Sequence, residues 1–144
     1  MLDGAMPKLP DLYFAAVDVR DVANLHLQAM VHPKAAGQRF IAAGGDTMSI
    51  QTVARLLIAK MGKTAGKVSI KMLPNWLVRI AALFSKPAKQ VVNDIGKKRH
   101  VSNKKAKATF DWRPRTNEEA ILCTAKSLAD RGLLKPVETH KWGS

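Results

Sequence analysis

The sequence predicts a mixed α/β fold of about three short strands and six helices, mostly helical in its second half. Three observations carry this reading. Runs rich in β-branched and aromatic residues lie in the first half, at 13–19 (YFAAVDV), 38–43 (QRFIAA) and 68–72 (VSIKM). From Pro74 onward, apolar residues recur at spacings of three and four, the signature of helices with one apolar face. The length of 144 residues at 47% hydrophobic content suits one soluble domain with a single core.

The elements follow in order. A Pro7 and Pro10 loop leads into the 13–19 strand. Asp18 or Asp21 can then accept hydrogen bonds from the free amides of a first helical turn, with Val22, Leu25 and Ala29 on one face and His32-Pro33 as the stop. The 38–43 strand ends at Gly44-Gly45, a sharp turn before a helix that starts at Thr47 or Ser49. Its stripe is Ile50, Val53, Ala54, Leu57 and Met61, and Gly62 supplies the left-handed stop before the 68–72 strand. Pro74 suits a first helical position, and Trp76, Leu77, Ile80, Leu83 and Phe84 share one face, read here as core. A short helix is expected over 86–95, broken by Gly96, and Ser102 should cap another that carries Ala106 and Phe110. Thr116 and Glu119 have the spacing of a capping box, opening a helix through Ile121, Leu122, Ala125 and Leu128 to Gly132. Residues 135–144 read as a flexible tail.

The net charge of +13 is unevenly placed. Residues 1–59 carry five basic groups and five acids, and residues 116–144 carry four of each. The other fifteen basic groups lie in residues 60–115 against only Asp94 and Asp111, so a neutral body wears a basic belt. Lys97, Lys98, Arg99, Lys104, Lys105 and Lys107 could neutralise phosphates, yet no recognition motif accompanies them, and the sequence favours a solvated surface over a nucleic-acid partner. No apolar run approaches the ~20 residues of a membrane span, which predicts no membrane partner. The single cysteine, Cys123, cannot form an internal disulfide and predicts a cytoplasmic home.

Catalytic motifs are sparse. Gly44-Gly45 lies between strand and helix but lacks the spaced third glycine of a dinucleotide turn and a following Walker lysine, so a tight turn is the better reading. Tyr13 is the only tyrosine and position 17 is Val17, so no Tyr-x-x-x-Lys pair exists. Cys123 reads as a small buried hydrophobe, not a nucleophile. His26 and His32 are off the spacing that would put two ligands on one helix face, and His100 and His140 have no nearby thiol, so no metal is expected. Asp18 and Asp21 read as caps in preference to an acid–base pair.

Five segments stand in a familiar order. They are Val17-Asp18-Val19-Arg20-Asp21-Val22-Ala23, Arg39-Phe40-Ile41-Ala42-Ala43-Gly44-Gly45, Leu73-Pro74-Asn75-Trp76-Leu77, Val101-Ser102-Asn103-Lys104-Lys105-Ala106 and Asp111-Trp112-Arg113-Pro114-Arg115. Together the segments resemble the C-terminal half of extended short-chain dehydrogenase/reductases, nearest the dihydroflavonol-reductase-like aldehyde reductases of the NAD-dependent epimerase/dehydratase group. One departure is Asp111, where that family usually has Gly before Trp.

The resemblance implies a partial Rossmann-type fold in which residues 1–134 are a substrate-binding C-terminal region. Residues 38–43 would be the last strand of the cofactor sheet. The whole enzyme would be an NAD(P)-dependent aldehyde or ketone reductase, or a sugar-nucleotide epimerase-like oxidoreductase, acting on a small carbonyl substrate. The glycine-rich turn and the Ser, Tyr and Lys of the family lie upstream of the matching segments, so the chain alone is expected to bind no cofactor and to be inactive. It would need an N-terminal Rossmann half, or would self-associate. The loop of residues 4–10 looks like the segment that passes the substrate cleft, with Met6, Pro7 and Leu9 as candidate substrate contacts. The alternative is a basic, non-enzymatic binding module, with nucleic acid as its candidate ligand.

Overall fold

The computed structural model describes residues 1–134 except Ala5 and Ser85, so the expected tail at 135–144 lies outside the described residues. Among the described residues the fold has six α-helices and one two-stranded sheet. The helices are α1 (Val19–Val31), α2 (Ile50–Met61), α3 (Asn75–Phe84), α4 (Lys86–Val91), α5 (Lys104–Phe110) and α6 (Asn117–Asp130). The strands, β1 (Tyr13–Phe14) and β2 (Met48–Ser49), pair antiparallel with Tyr13 opposite Ser49.

Helix starts follow local chemistry. Asp18 caps α1 by accepting the Arg20 amide at 2.9 Å, and Ser49 caps α2 by accepting the Thr52 amide at 3.0 Å. Both halves of the α6 capping box form: Thr116 Oγ1 accepts the Glu119 amide at 3.2 Å, and Glu119 Oε2 accepts the Thr116 amide at 2.8 Å. The α5 start differs from expectation. Asn103, not Ser102, occupies the cap, and its side chain donates instead to the Ala43 carbonyl at 2.6 Å, tying α5 to a distant segment. Asp111 ends α5 at φ 49°, the left-handed conformation for which glycine is the usual residue. Helix α4 stops at Val91 and not at residue 95, where a turn closes with the Asp94 amide on the Val91 carbonyl at 3.0 Å.

The strands depart furthest from the sequence reading, and the described residues do not form a three-stranded parallel sheet of Rossmann type. Only Tyr13–Phe14 of the 13–19 run joins a ladder. Residues 68–72 contribute a single parallel bridge, Met72 to Leu9. Residues 38–43 join none, although they keep a strand's alternation, with Phe40 and Ala42 packed inward and Arg39 and Ile41 exposed. A strand exists only with a neighbour to exchange hydrogen bonds, and none of the described residues offers one to this segment.

Two apolar clusters hold the fold together. One joins Leu9 with Val53, Ala54 and Leu57 of α2, Ala65, Val68, and Ala125 of α6. The other joins Leu25 of α1, Ala106 of α5 and Trp112, against which Phe40 and Phe110 pack with ring centroids 4.6 Å apart. The α3 stripe expected to be core belongs to neither. Val78 is the buried residue of α3, whereas Trp76 and Phe84 are 61% and 89% exposed.

Candidate ligand cleft

A cleft of about 370 Å³, within the ~300–1,000 Å³ range of small-molecule sites, opens where β1, α2 and α6 meet the first residues of the chain. Phe14, Ile50, Val53, Ile121 and Leu128 line it, and Leu2 stands over it. Its lining follows from helical phase. The α2 stripe and the α6 positions 121, 125 and 128 turn toward each other, so the floor of the cleft is also the roof of the larger core cluster.

A second cavity of about 310 Å³ adjoins it along Val17, Thr124 and Leu128 and ends on polar groups. There Asp18 receives Arg20 Nε at 2.8 Å and Nη2 at 2.6 Å, besides the Arg20 amide. These bonds to Arg20, the side chain first and the amide second, hold the Asp18 carboxyl far below the usual carboxylate range. Arg20 Nη2 also donates to Cys123 Sγ at 3.3 Å. Cys123 is exposed, which corrects the expectation of a buried thiol: it lies about 140° around α6 from Leu128, off the face turned to the core.

The other acid of α1 works across the fold. Asp21 accepts the Arg115 amide at 2.7 Å and its guanidinium at 2.5 Å, while the Asp21 carbonyl accepts the Trp112 indole N–H at 3.0 Å. Asp21 is thus a tertiary tie and not a cap, and the two aspartates are committed to separate arginines.

Gly44-Gly45 is a tight turn packed against its neighbours. The Gly44 amide donates to the Ala16 carbonyl at 2.8 Å, and a Cβ at Gly44 would stand 2.6 Å from the Arg115 carbonyl. Asn117 Nδ2 donates to the Asp46 carbonyl at 2.6 Å, fastening the turn to α6. The Thr47 amide, His100 Nδ1 and the Val101 amide converge on the Asp46 carboxylate and lower its pKa to about 2, the Thr47 amide contributing most. The Gly44 backbone is thus packed against Ala16 and Arg115, and its amide is spent on a protein carbonyl. Among the described residues no group of three or more His, Cys, Asp or Glu could hold a metal ion.

The substrate contacts expected from sequence do not meet at the cleft. Leu9 is 0% exposed inside the larger cluster, its amide bonded to the Lys71 carbonyl at 2.7 Å. Met6 packs against that cluster from outside, and Pro7 is exposed. Arg20, Cys123 and the α2–α6 lining escaped the sequence reading. The helical phase of α6 could have exposed Cys123, whereas the contact with Arg20, 103 residues away, has no local signal.

No protein-family model matches the chain, and no curated protein matches it. A solved structure titled "Crystal structure of gox2253" is similar to it, with a TM-score of 0.69 at 21% identity. The match covers 93% of this chain but 42% of that one. At this identity the likeness is one of fold.

Proposed function

We propose that this chain is the substrate-binding C-terminal portion of an NAD(P)-dependent aldehyde or ketone reductase of the extended short-chain dehydrogenase/reductase kind. The observation that carries the reading is the proportion of the fold match: nearly all of this chain corresponds to less than half of a larger one. The ordered segments from Val17 to Arg115 support it, as does the strand-like 38–43 run, which has no partner strand among the described residues.

In this reading the joined cavities hold the carbonyl compound. The apolar wall of Phe14, Ile50 and Ile121 takes its hydrocarbon part, and Arg20 lies at the polar end. Met6, which packs against the larger cluster, and the exposed Pro7 would act on substrate size from outside the cleft lining, while Leu9 holds the loop in the core. Hydride and proton transfer belong to an N-terminal portion with the glycine-rich turn and the Tyr/Lys pair, and no step through a dinucleotide falls to the residues of this chain.

The test pairs absence with reconstitution. The isolated chain should neither bind NADPH on titration nor turn over a panel of aldehydes. Co-expression with an N-terminal Rossmann half from a complete relative should restore turnover. In that assembly Ile121→Trp and Met6→Trp should each raise KM for bulky aldehydes more than for small ones, because apolar pockets discriminate by volume. Micromolar NADPH binding by the chain alone, or equal effects on all substrates, would sink the reading.

A further inference from the structure

Helix α3 presents its apolar stripe to water. Trp76 (61% exposed), Ile80 (49%), Leu83 (78%) and Phe84 (89%) face outward, while Val78 is buried on the opposite side. At 3.6 residues per turn these four fall within a sector of about 100°. Single exposed apolar residues are ordinary on a protein surface, whereas a contiguous stripe marks an interaction surface.

The surroundings are positively charged. Around α3 stand Arg79, Lys89, Lys97, Lys98 and Arg99, against Asp94, whose carboxylate is already engaged by Arg99 at 2.6 Å, and Asp11, whose carboxylate would lie 3.6 Å from a Cβ at Gly96. Arg79 borders the stripe, about 40° around the helix from Leu83. The Lys97-Lys98-Arg99 run starts beside the first residue of α3: the Gly96 amide donates to the Asp11 carbonyl at 2.8 Å, and a Cβ at Gly96 would stand 3.7 Å from Asn75 Nδ2.

We propose that α3 is a peripheral docking face for an anionic lipid bilayer. Trp76 sits at headgroup level, Ile80, Leu83 and Phe84 enter the upper acyl region, and Arg79 with Lys97 and Lys98 meets the lipid phosphates. The charge selects this occupant. A second copy would set two basic surfaces against each other, and a nucleic acid would stack on planar rings, which Ile80 and Leu83 lack. A bilayer interface accepts aliphatic and aromatic side chains together with cations. The lack of a spanning segment, from which the sequence predicts no membrane partner, does not bear on a helix lying in the interface plane.

The test uses the full chain with vesicles of phosphatidylcholine alone and vesicles containing about one part in four phosphatidylglycerol. Sedimentation should show binding to the anionic vesicles only, weakening as salt rises. Tryptophan emission should shift to the blue on binding, and Trp76→Phe should abolish the shift. The Leu83→Ser/Phe84→Ser pair and the Lys97→Glu/Lys98→Glu pair should each weaken binding by about tenfold or more. All four sites lie on the surface, so circular dichroism should be unchanged. The proposal fails if neither vesicle binds, or if Leu83→Ser/Phe84→Ser leaves binding intact, which would reduce it to charge adsorption. It fails equally if single-stranded RNA binds more tightly than vesicles, or if a dimer hides Trp76 from an aqueous quencher.

Discussion

Helices α2 and α3 are close in length and both carry an apolar stripe, yet one stripe is the centre of the fold and the other faces water. In α2, Val53, Ala54 and Leu57 meet Leu9, Val68 and Ala125. In α3 only Val78 is buried, and α4 is the helix packed against it. The difference lies in what the rest of the chain brings to each face. A helix shows its amphipathicity in its own sequence, but burial also requires a second element at the right place.

Four tests probe this contrast. The largest effect is expected at Leu57→Ala, which empties a buried site and should cost ~2–5 kcal/mol, whereas Phe84→Ser should change stability by less than ~0.5 kcal/mol. Urea unfolding of both variants measures the pair, and similar losses would mean that α3 is covered after all. Next is Asp21→Ala, which strands the Arg115 amide and guanidinium and should cost ~1–3 kcal/mol. Asp21→Asn should recover part of that loss.

Acid comes third. Asp18 and Asp46 titrate below their ordinary range in the folded chain, so they stabilise the fold above the unfolded carboxylate pKa of ~3.9 and lose that contribution as pH falls toward their folded values, about 2 for Asp46. Melting temperature should therefore drop below about pH 4, and Asp18→Asn, which keeps a capping oxygen without the charge, should make the drop shallower. The smallest effect is a gain. Asp111→Gly relieves a left-handed backbone and should raise stability by up to ~1 kcal/mol, with Asp111→Ala as the opposing control.

What the sequence discloses divides along the same line. The α6 capping box is legible because Thr116 and Glu119 are three residues apart and satisfy each other. The stop at Gly62 and the cap at Ser49 are equally local. The 38–43 run has strand composition and strand alternation, yet its state depends on a neighbour that composition cannot supply. Trp76 and Phe84 have core-like spacing, but periodicity gives a face without saying what covers it. The cleft was the least visible feature, because its walls come from β1, α2 and α6 and its polar end joins residues 103 apart.

The ties around Asp21 also set an order of events in folding. Helix α1 precedes the other five described helices along the chain, but its buried carboxylate waits 94 residues for Arg115, and its Asp21 carbonyl waits 91 for the Trp112 indole. The turn at Asp46 waits 71 residues for Asn117. Closing such long loops takes entropy that local helix formation does not, so α1 forms early and is locked late. Refolding followed by circular dichroism should therefore run ahead of the burial of Trp112.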